Sequence, residues 1–190
     1  MTASFSVSAY LSAHARLGRA CDADAFRAGI DMVRAAFEGG RQIITCGNGG
    51  SAYAASHFIT DWNKMITQAT GRKFRGVSLC DNLGLVTAFA NDVAYDEIFA
   101  GQLRSILEPG DLVLAISGSG NSPNVVKAVE YANAAGADTF ALVGYDGGRL
   151  KQIARHVVWV PSFDMQLCED MHLMFGHMVM KALCGSQILD

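Results

Sequence analysis

Residues 42–61 read QIITCGNGGSAYAASHFITD. An apolar run, Gln42–Cys46, leads into a turn with glycine at 47, 49 and 50, and a helical pattern follows from Ala54 to Asp61. Apolar run, glycine turn and helix form the opening half of a βαβ unit. The same rhythm continues downstream. Short apolar runs at Gly76–Cys80, Leu112–Ile116, Thr139–Val143 and Val157–Val160 alternate with longer helical stretches, and Glu169–Leu183 closes the chain as a last helix. Five such runs predict an α/β fold, a five-stranded parallel sheet covered by helices on both faces. Right-handed crossovers then bring the loops that follow the strands to one edge, where ligands bind.

Ahead of the sheet the sequence is helical. Asp22 caps a pattern with apolar residues at Phe26, Ile30, Val33 and Phe37, and Gly39-Gly40 ends it. A weaker helical pattern runs from Phe5 to Leu17. The chain divides into a helical N-terminal arm (1–40) and an α/β domain (41–190). Leu11, Leu17 and Met32 fall outside a single apolar stripe, which marks the arm as a source of oligomer contacts.

Composition narrows the function. The 190 residues carry 15 Lys and Arg against 18 Asp and Glu, a net charge of −3, with 51% hydrophobic content and 17% charged. That apolar content excludes a disordered chain. A slightly acidic balance disfavours nucleic acid as partner. No apolar run approaches the roughly 18 residues of a membrane helix, and the first residues lack the basic-then-apolar order of a signal peptide. A cytoplasmic protein is expected. The five cysteines, at 21, 46, 80, 168 and 184, form no CxxC pair, so neither a disulfide framework nor a zinc knuckle is predicted. Cys46 and Cys80 read as small core residues.

Two loops are suited to hold a phosphate. The first, Cys46-Gly47-Asn48-Gly49-Gly50-Ser51, opens a helix whose N-terminus adds positive potential and backbone donors. The second, Ser117-Gly118-Ser119-Gly120-Asn121-Ser122-Pro123-Asn124, also opens a helix, over Val125–Ala135, with Pro123 suited to its first turn. The spacing of Gly47, Gly49 and Ala52 also matches a dinucleotide-binding fingerprint. In that reading the acidic residue, Asp81, stands about 30 residues on instead of about 20, and the serines of the second loop have no role. A phosphomonoester site accounts for both loops.

The pairing of GNGGS with SGSGNS resembles the sugar isomerase (SIS) domain family. CGNGGS, FANDVAYDEIF, ISGSGNSPNVVKAV, LVGYDGGRL and the closing helix with Glu169 and His177 are most similar to its phosphoheptose isomerases, over residues 40–185. The resemblance implies a flavodoxin-like three-layer α/β/α sandwich that forms homotetramers. It assigns Ser51, Ser117, Ser119 and Ser122, with Gly49, Gly50 and Gly118, to the sugar phosphate, and Asn48, Asn91 and Asp92 to the sugar. The reaction it implies is ketose–aldose isomerisation of a phosphorylated sugar, sedoheptulose 7-phosphate foremost, toward a manno-heptose 7-phosphate for surface polysaccharide.

His57 and Asp61 stand four apart on one helix face, and Glu169 and His177 stand eight apart on the last helix, roughly 80° around its axis. These four form a candidate ligand set of two imidazoles and two carboxylates, suited to zinc and open to manganese, iron or nickel. His172, a rival on the same helix, points roughly 140° away from His177. The resemblance makes His57 and His177 metal-site histidines. Asp61 stands where phosphoheptose isomerases carry glutamate, Glu169 where they carry glutamine, and Gln166 where they tend to carry aspartate. Met65 replaces an arginine, with Lys64 the nearest basic residue, and the loop before the last helix is one residue shorter. In the expected mechanism Asp61 is the base and His177 the acid, with Glu169 the alternative base. A second function class is a SIS module that binds a sugar phosphate without turning it over; the altered carboxylates favour it, and retention of four candidate ligands opposes it.

Overall fold

The strands are built on strict alternation between two cores. The computed structural model describes residues 5–186; the outer ends of the arm and of the α/β domain, 1–4 and 187–190, lie outside the described residues. The strands are β1 (Ile43–Gly47), β2 (Gly76–Ser78), β3 (Leu112–Ser117), β4 (Asp138–Val143) and β5 (His156–Trp159), all parallel, in the order β2-β1-β3-β4-β5. Leu112, Leu114, Ile116, Phe140 and Leu142 face one helical layer, and Val113, Ala115, Ala141 and Val143 face the other. The large residues meet α1 (Val7–Ala20), α2 (Ala23–Glu38), α3 (Gly50–Asp61) and, at the end of the chain, α9 (Met165–Cys184). The smaller ones let α7 (Pro123–Ala134) lie close, through Val125, Ala128, Val129 and Ala132. This is the flavodoxin-like three-layer sandwich.

The remaining elements are short. A π-helical turn (Trp62–Ile66) and α4 (Thr67–Thr70) extend α3; α5 (Leu83–Asp92), a 3-10 turn (Tyr95–Glu97) and α6 (Ala100–Ile106) connect β2 to β3, and α8 (Leu150–Ile153) precedes β5. Asp22 caps α2 by accepting from Asp24 N and Ala25 N. The last helix begins four residues ahead of its sequence-predicted start, because Asp164 Oδ1 accepts from Gln166 N and Leu167 N and so caps it at Met165. Of the arm residues expected to face outward, Leu17 is buried in the core and Met32 packs against it, while Leu11 is exposed together with Phe5 and Val7. The arm is tied to the last helix by the Tyr10 hydroxyl, which donates to Asp170 Oδ2 at 2.6 Å. Cys46 is fully buried and Cys80 half-buried, and burial pushes both thiols up, away from reactive thiolate.

Two contacts press α3 against α9. Gly176 leaves room for the Phe58 ring, which a Cβ there would overlap, and the Trp62 indole donates to Gly176 O at 3.0 Å. Gly50 similarly lies against Glu169, so the two helices run side by side in one direction from the same sheet edge. Deeper in this layer His172 is buried on α9, and burial lowers its pKa to about 4, with a smaller opposing pull from the Val143 backbone.

Two outcomes test this packing. Gly176→Ala should cost about 1–3 kcal/mol through overpacking, read by calorimetry as a Tm lower by about 2–4 °C per kcal/mol. His172 is neutral when folded and takes up a proton below about pH 6.5 when unfolded, so the unfolded state binds more protons there. Stability should therefore fall as pH drops from about 6.5 to about 4, and His172→Leu should remove up to about 3 kcal/mol of that slope in denaturant titrations.

Candidate functional site

The sheet order places the first loop after β1 and the second after the neighbouring β3, where the winding reverses. Such a switch point opens a crevice at the carboxyl edge of the sheet. In the first loop Gly49 has φ +53°, and Gly47 lies so near Ser51 that a Cβ there would be 2.8 Å from the Ser51 backbone. No side chain caps α3; Ala52 N and Tyr53 N donate to Gly49 O, and the N–H groups of Gly50 and Ser51 are those a ligand could meet. In the second loop Ser117 Oγ lies 3.3 Å from Ser122 Oγ and accepts from Gly120 N, while Ser119 Oγ accepts from Asn121 N. Gly120, at φ +67°, packs directly on the Gly147 carbonyl of the loop after β4. The four serines, 51, 117, 119 and 122, line one cavity of about 270 Å³ together with Asn48, Gly49, Gly50, Gly118 and Glu169.

A second cavity, of about 350 Å³, lies between α3 and α9 and shares Ser51, Gly50 and Glu169 with the first. His57 and the buried His172 line it farther along. There His57 Nε2 lies 3.0 Å from His177 Nε2 and 3.5 Å from Asp61 Oδ2, and the three ligand atoms all fall within 4.8 Å of one another. Two ligand atoms about 2.0–2.1 Å from one tetrahedral zinc stand about 3.3 Å apart, close to the 3.0 Å between His57 and His177 and the 3.5 Å between His57 and Asp61. Two imidazole nitrogens this close can aim their lone pairs at one cation.

Glu169 is not in that trio. Eight helical residues separate it from His177, about 12 Å along α9, and its carboxylate sits against Gly50 at the N-terminus of α3. It lines both cavities and so stands between the serine loops and the trio. Asn91 and Asp92 lie at the exposed end of α5, where Asn91 Nδ2 donates to Asp92 Oδ1 at 2.7 Å, and neither lines the two cavities. Their segment reaches the site through Tyr95, whose hydroxyl donates to Asn48 Oδ1 at 3.2 Å. Sequence reasoning missed Tyr95, Asn124 and Trp62. Asn124 is nearly fully buried and exchanges hydrogen bonds with Asn48, and a buried asparagine inside a serine–glycine string was the available signal.

The SIS domain family matches residues 9–144, from α1 to the end of β4 and the residue after it. Among curated proteins, the phosphoheptose isomerase of Colwellia psychrerythraea is 40% identical over 167 residues, 86% of this chain and 81% of that protein. The probable phosphoheptose isomerase of Thermoplasma acidophilum is 35% identical over 149 residues, 78% of this chain and 81% of its own length. Among solved structures, phosphoheptose isomerase from Neisseria gonorrhoeae superposes with a TM-score of 0.86 at 26% identity, covering 93% of this chain and 96% of that one. With sequence likeness spread over most of the chain and a fold shared along nearly the full length of both proteins, this chain belongs to the SIS domain family, among the phosphoheptose isomerases.

Proposed function

We propose that the chain is a ketose–aldose isomerase that converts sedoheptulose 7-phosphate to D-glycero-D-manno-heptose 7-phosphate, in heptose biosynthesis for surface polysaccharide. One observation supports this most: the α3/α9 cavity shares Gly50, Ser51 and Glu169 with the serine cavity and is also lined by His57, the histidine that joins Asp61 and His177 in the trio. Seven residues of α3 separate Gly50 from His57, about 10 Å, comparable to an open-chain seven-carbon sugar measured from its phosphate to its reacting carbons. Phosphate bound at the loops therefore presents C1 and C2 to the trio, and binding energy far from the chemistry positions the substrate.

His57, Asp61 and His177 would hold zinc; Glu169, the fourth candidate ligand of the sequence, stands against Gly50, about 12 Å along α9 from His177. Zinc in that position would polarise the substrate carbonyl and stabilise enediolate charge. The proton chemistry falls to the side chains. Asp61 takes the C1 proton of the ketose and returns it to C2, and Glu169, standing along the sugar's path, is the alternative base. Free of the ion, His177 supplies a proton to O2 as the enediol forms and takes the O1 hydroxyl proton as the aldehyde forms. At Nε2 the ligand and acid roles of His177 exclude each other, because one nitrogen lone pair serves one partner. Retention of the trio favours an enzyme over a pure sugar-phosphate-binding module, which has no use for such a set. Asn48, Asn91 and Asp92 would contact the sugar.

The exposed Val7 and Leu11 on α1, with the exposed Phe5 just ahead of it, support a homotetramer built partly through the arm. No helix among the described residues is long and apolar enough to cross a membrane, and a cytoplasmic site is part of the proposal.

Turnover of sedoheptulose 7-phosphate, with zinc supplied and then chelated, tests the reading. Activity should vanish on chelation and return with zinc; activity that survives chelation assigns His177 the acid role instead. Asp61→Asn should lower kcat by about 10²–10⁴ with KM within a few-fold. Full activity in both Asp61→Asn and His177→Ala would refute the assignment.

A further inference from the structure

The two phosphate loops are joined by a reciprocal amide pair. Asn48 Nδ2 donates to Asn124 Oδ1 at 2.9 Å, and Asn124 Nδ2 donates back to Asn48 Oδ1 at 2.8 Å, across 76 residues of sequence. Each oxygen takes a second bond: Asn48 Oδ1 accepts from the Tyr95 hydroxyl, and Asn124 Oδ1 accepts from Val125 N at 3.0 Å. Asn124 is 1% exposed, so its side chain does not reach solvent or a ligand. Among the described residues this pair is the only hydrogen-bonded link between the two loops, because the pairing of β1 with β3 ends at Gly47 and Ile116.

Only two primary amides can make this pair. Each must offer a donor and an acceptor side by side; a carboxylate offers no donor, and a hydroxyl cannot span both. The consequence reaches the phosphate site. Hydrogen bonds to a phosphate weaken steeply away from about 2.7–2.9 Å, so the α3 N–H groups and the serines of the second loop act together only if the loops keep a fixed separation. The β-strand ladder sets that separation up to Gly47; beyond it, the amide pair does.

We propose that Asn124 is a positioning residue. It holds the first loop, through Asn48, at the distance from the second at which both grip one phosphate. This inference rests on the reading of the two loops as the sugar-phosphate site. It also gives Asn48 a second task, since both lone pairs of its side-chain oxygen are already used and one N–H remains for the sugar.

The test uses the full chain and measures Kd for inorganic phosphate by calorimetry, KM for sedoheptulose 7-phosphate, and zinc affinity by chelator competition. Asn124→Ala should weaken phosphate binding and raise KM by about tenfold, the scale of a buried polar group left without its partner, with zinc affinity within twofold of wild type. Asn124→Asp keeps the shape and the acceptor at Oδ1 but sets a second acceptor against Asn48 Oδ1 in place of the donor; it should weaken phosphate at least as much as Asn124→Ala, measured under conditions where circular dichroism shows both variants folded. Asn48→Ala combined with Asn124→Ala should be no worse than the poorer single variant, because either one breaks the pair. Phosphate affinity within twofold of wild type in both Asn124 variants, or losses that multiply in the double variant, would overturn the inference and leave the isomerase reading in place. A wild-type chain that binds neither phosphate nor the sugar phosphate would overturn both.

Discussion

The close approach of α3 and α9 is the constraint on which the site depends. Both helices start at the carboxyl edge of the sheet and descend together, and a missing side chain at Gly176 lets the Phe58 ring in. Because the next residue on α9 is His177 and the preceding one on α3 is His57, the packing contact and the candidate metal centre are one piece of geometry. A Cβ at 176 would wedge the helices at the level where two imidazole nitrogens must stand 3.0 Å apart. The π-helical turn that starts at Trp62 belongs to the same device. It widens the helix directly after Asp61 and turns the indole to Gly176 O, so the carboxylate sits in a segment anchored to the helix that supplies its partner histidine.

The phosphate end obeys a different logic, since neither loop contains a lysine or arginine. Backbone N–H groups, two helix N-termini and four hydroxyls replace them. Such donors are fixed by the backbone and need no long side chain to be ordered, but they are weak singly and useful only in concert. Loop-to-loop registration therefore matters more here than in a site built on a point charge. Glu169 sharpens the requirement. Its carboxylate occupies the α3 N-terminus, the same positive pole a phosphate would use, and each anion there raises the cost of the other unless a cation or a proton intervenes.

Much of this architecture is legible from residues 42–61 outward. Apolar runs and glycine turns mark five strands, and Asp22 and Pro123 mark helix starts that the structure keeps. What was hidden is what depends on side chains meeting across the fold. The start of α9 was placed late because Asp164 caps it through a bond that periodicity does not register. Leu17 looked unpartnered until tertiary packing buried it. The spacing of Glu169 and His177 gives an angle around the axis and says little about the two turns of rise that part them, whereas His57 and Asp61, one turn apart, do share a face. Asn124 is the plainest case: its importance lies wholly in a partner 76 residues away.

The two ends of the crevice divide the work of the reaction unequally, and the departures from the phosphoheptose isomerase pattern fall mostly at one of them. The serines and glycines of both loops keep that pattern, while Asp61 alters the carboxylate of the trio and Glu169 adds one against Gly50. If Asp61 is the base, as proposed, aspartate in place of glutamate withdraws its oxygens by about 1.5 Å, a large step for proton transfer, which needs heavy atoms about 3 Å apart. Adding charge at 169 places a second carboxylate along the sugar's path. The pair of changes conserves carboxylate function in the crevice while moving it toward the phosphate end. In the proposed reaction a sugar phosphate held at the serine loops meets one carboxylate near its anchor and one in the trio, so the distances from Glu169 and Asp61 to the loops bear on which sugar is turned over.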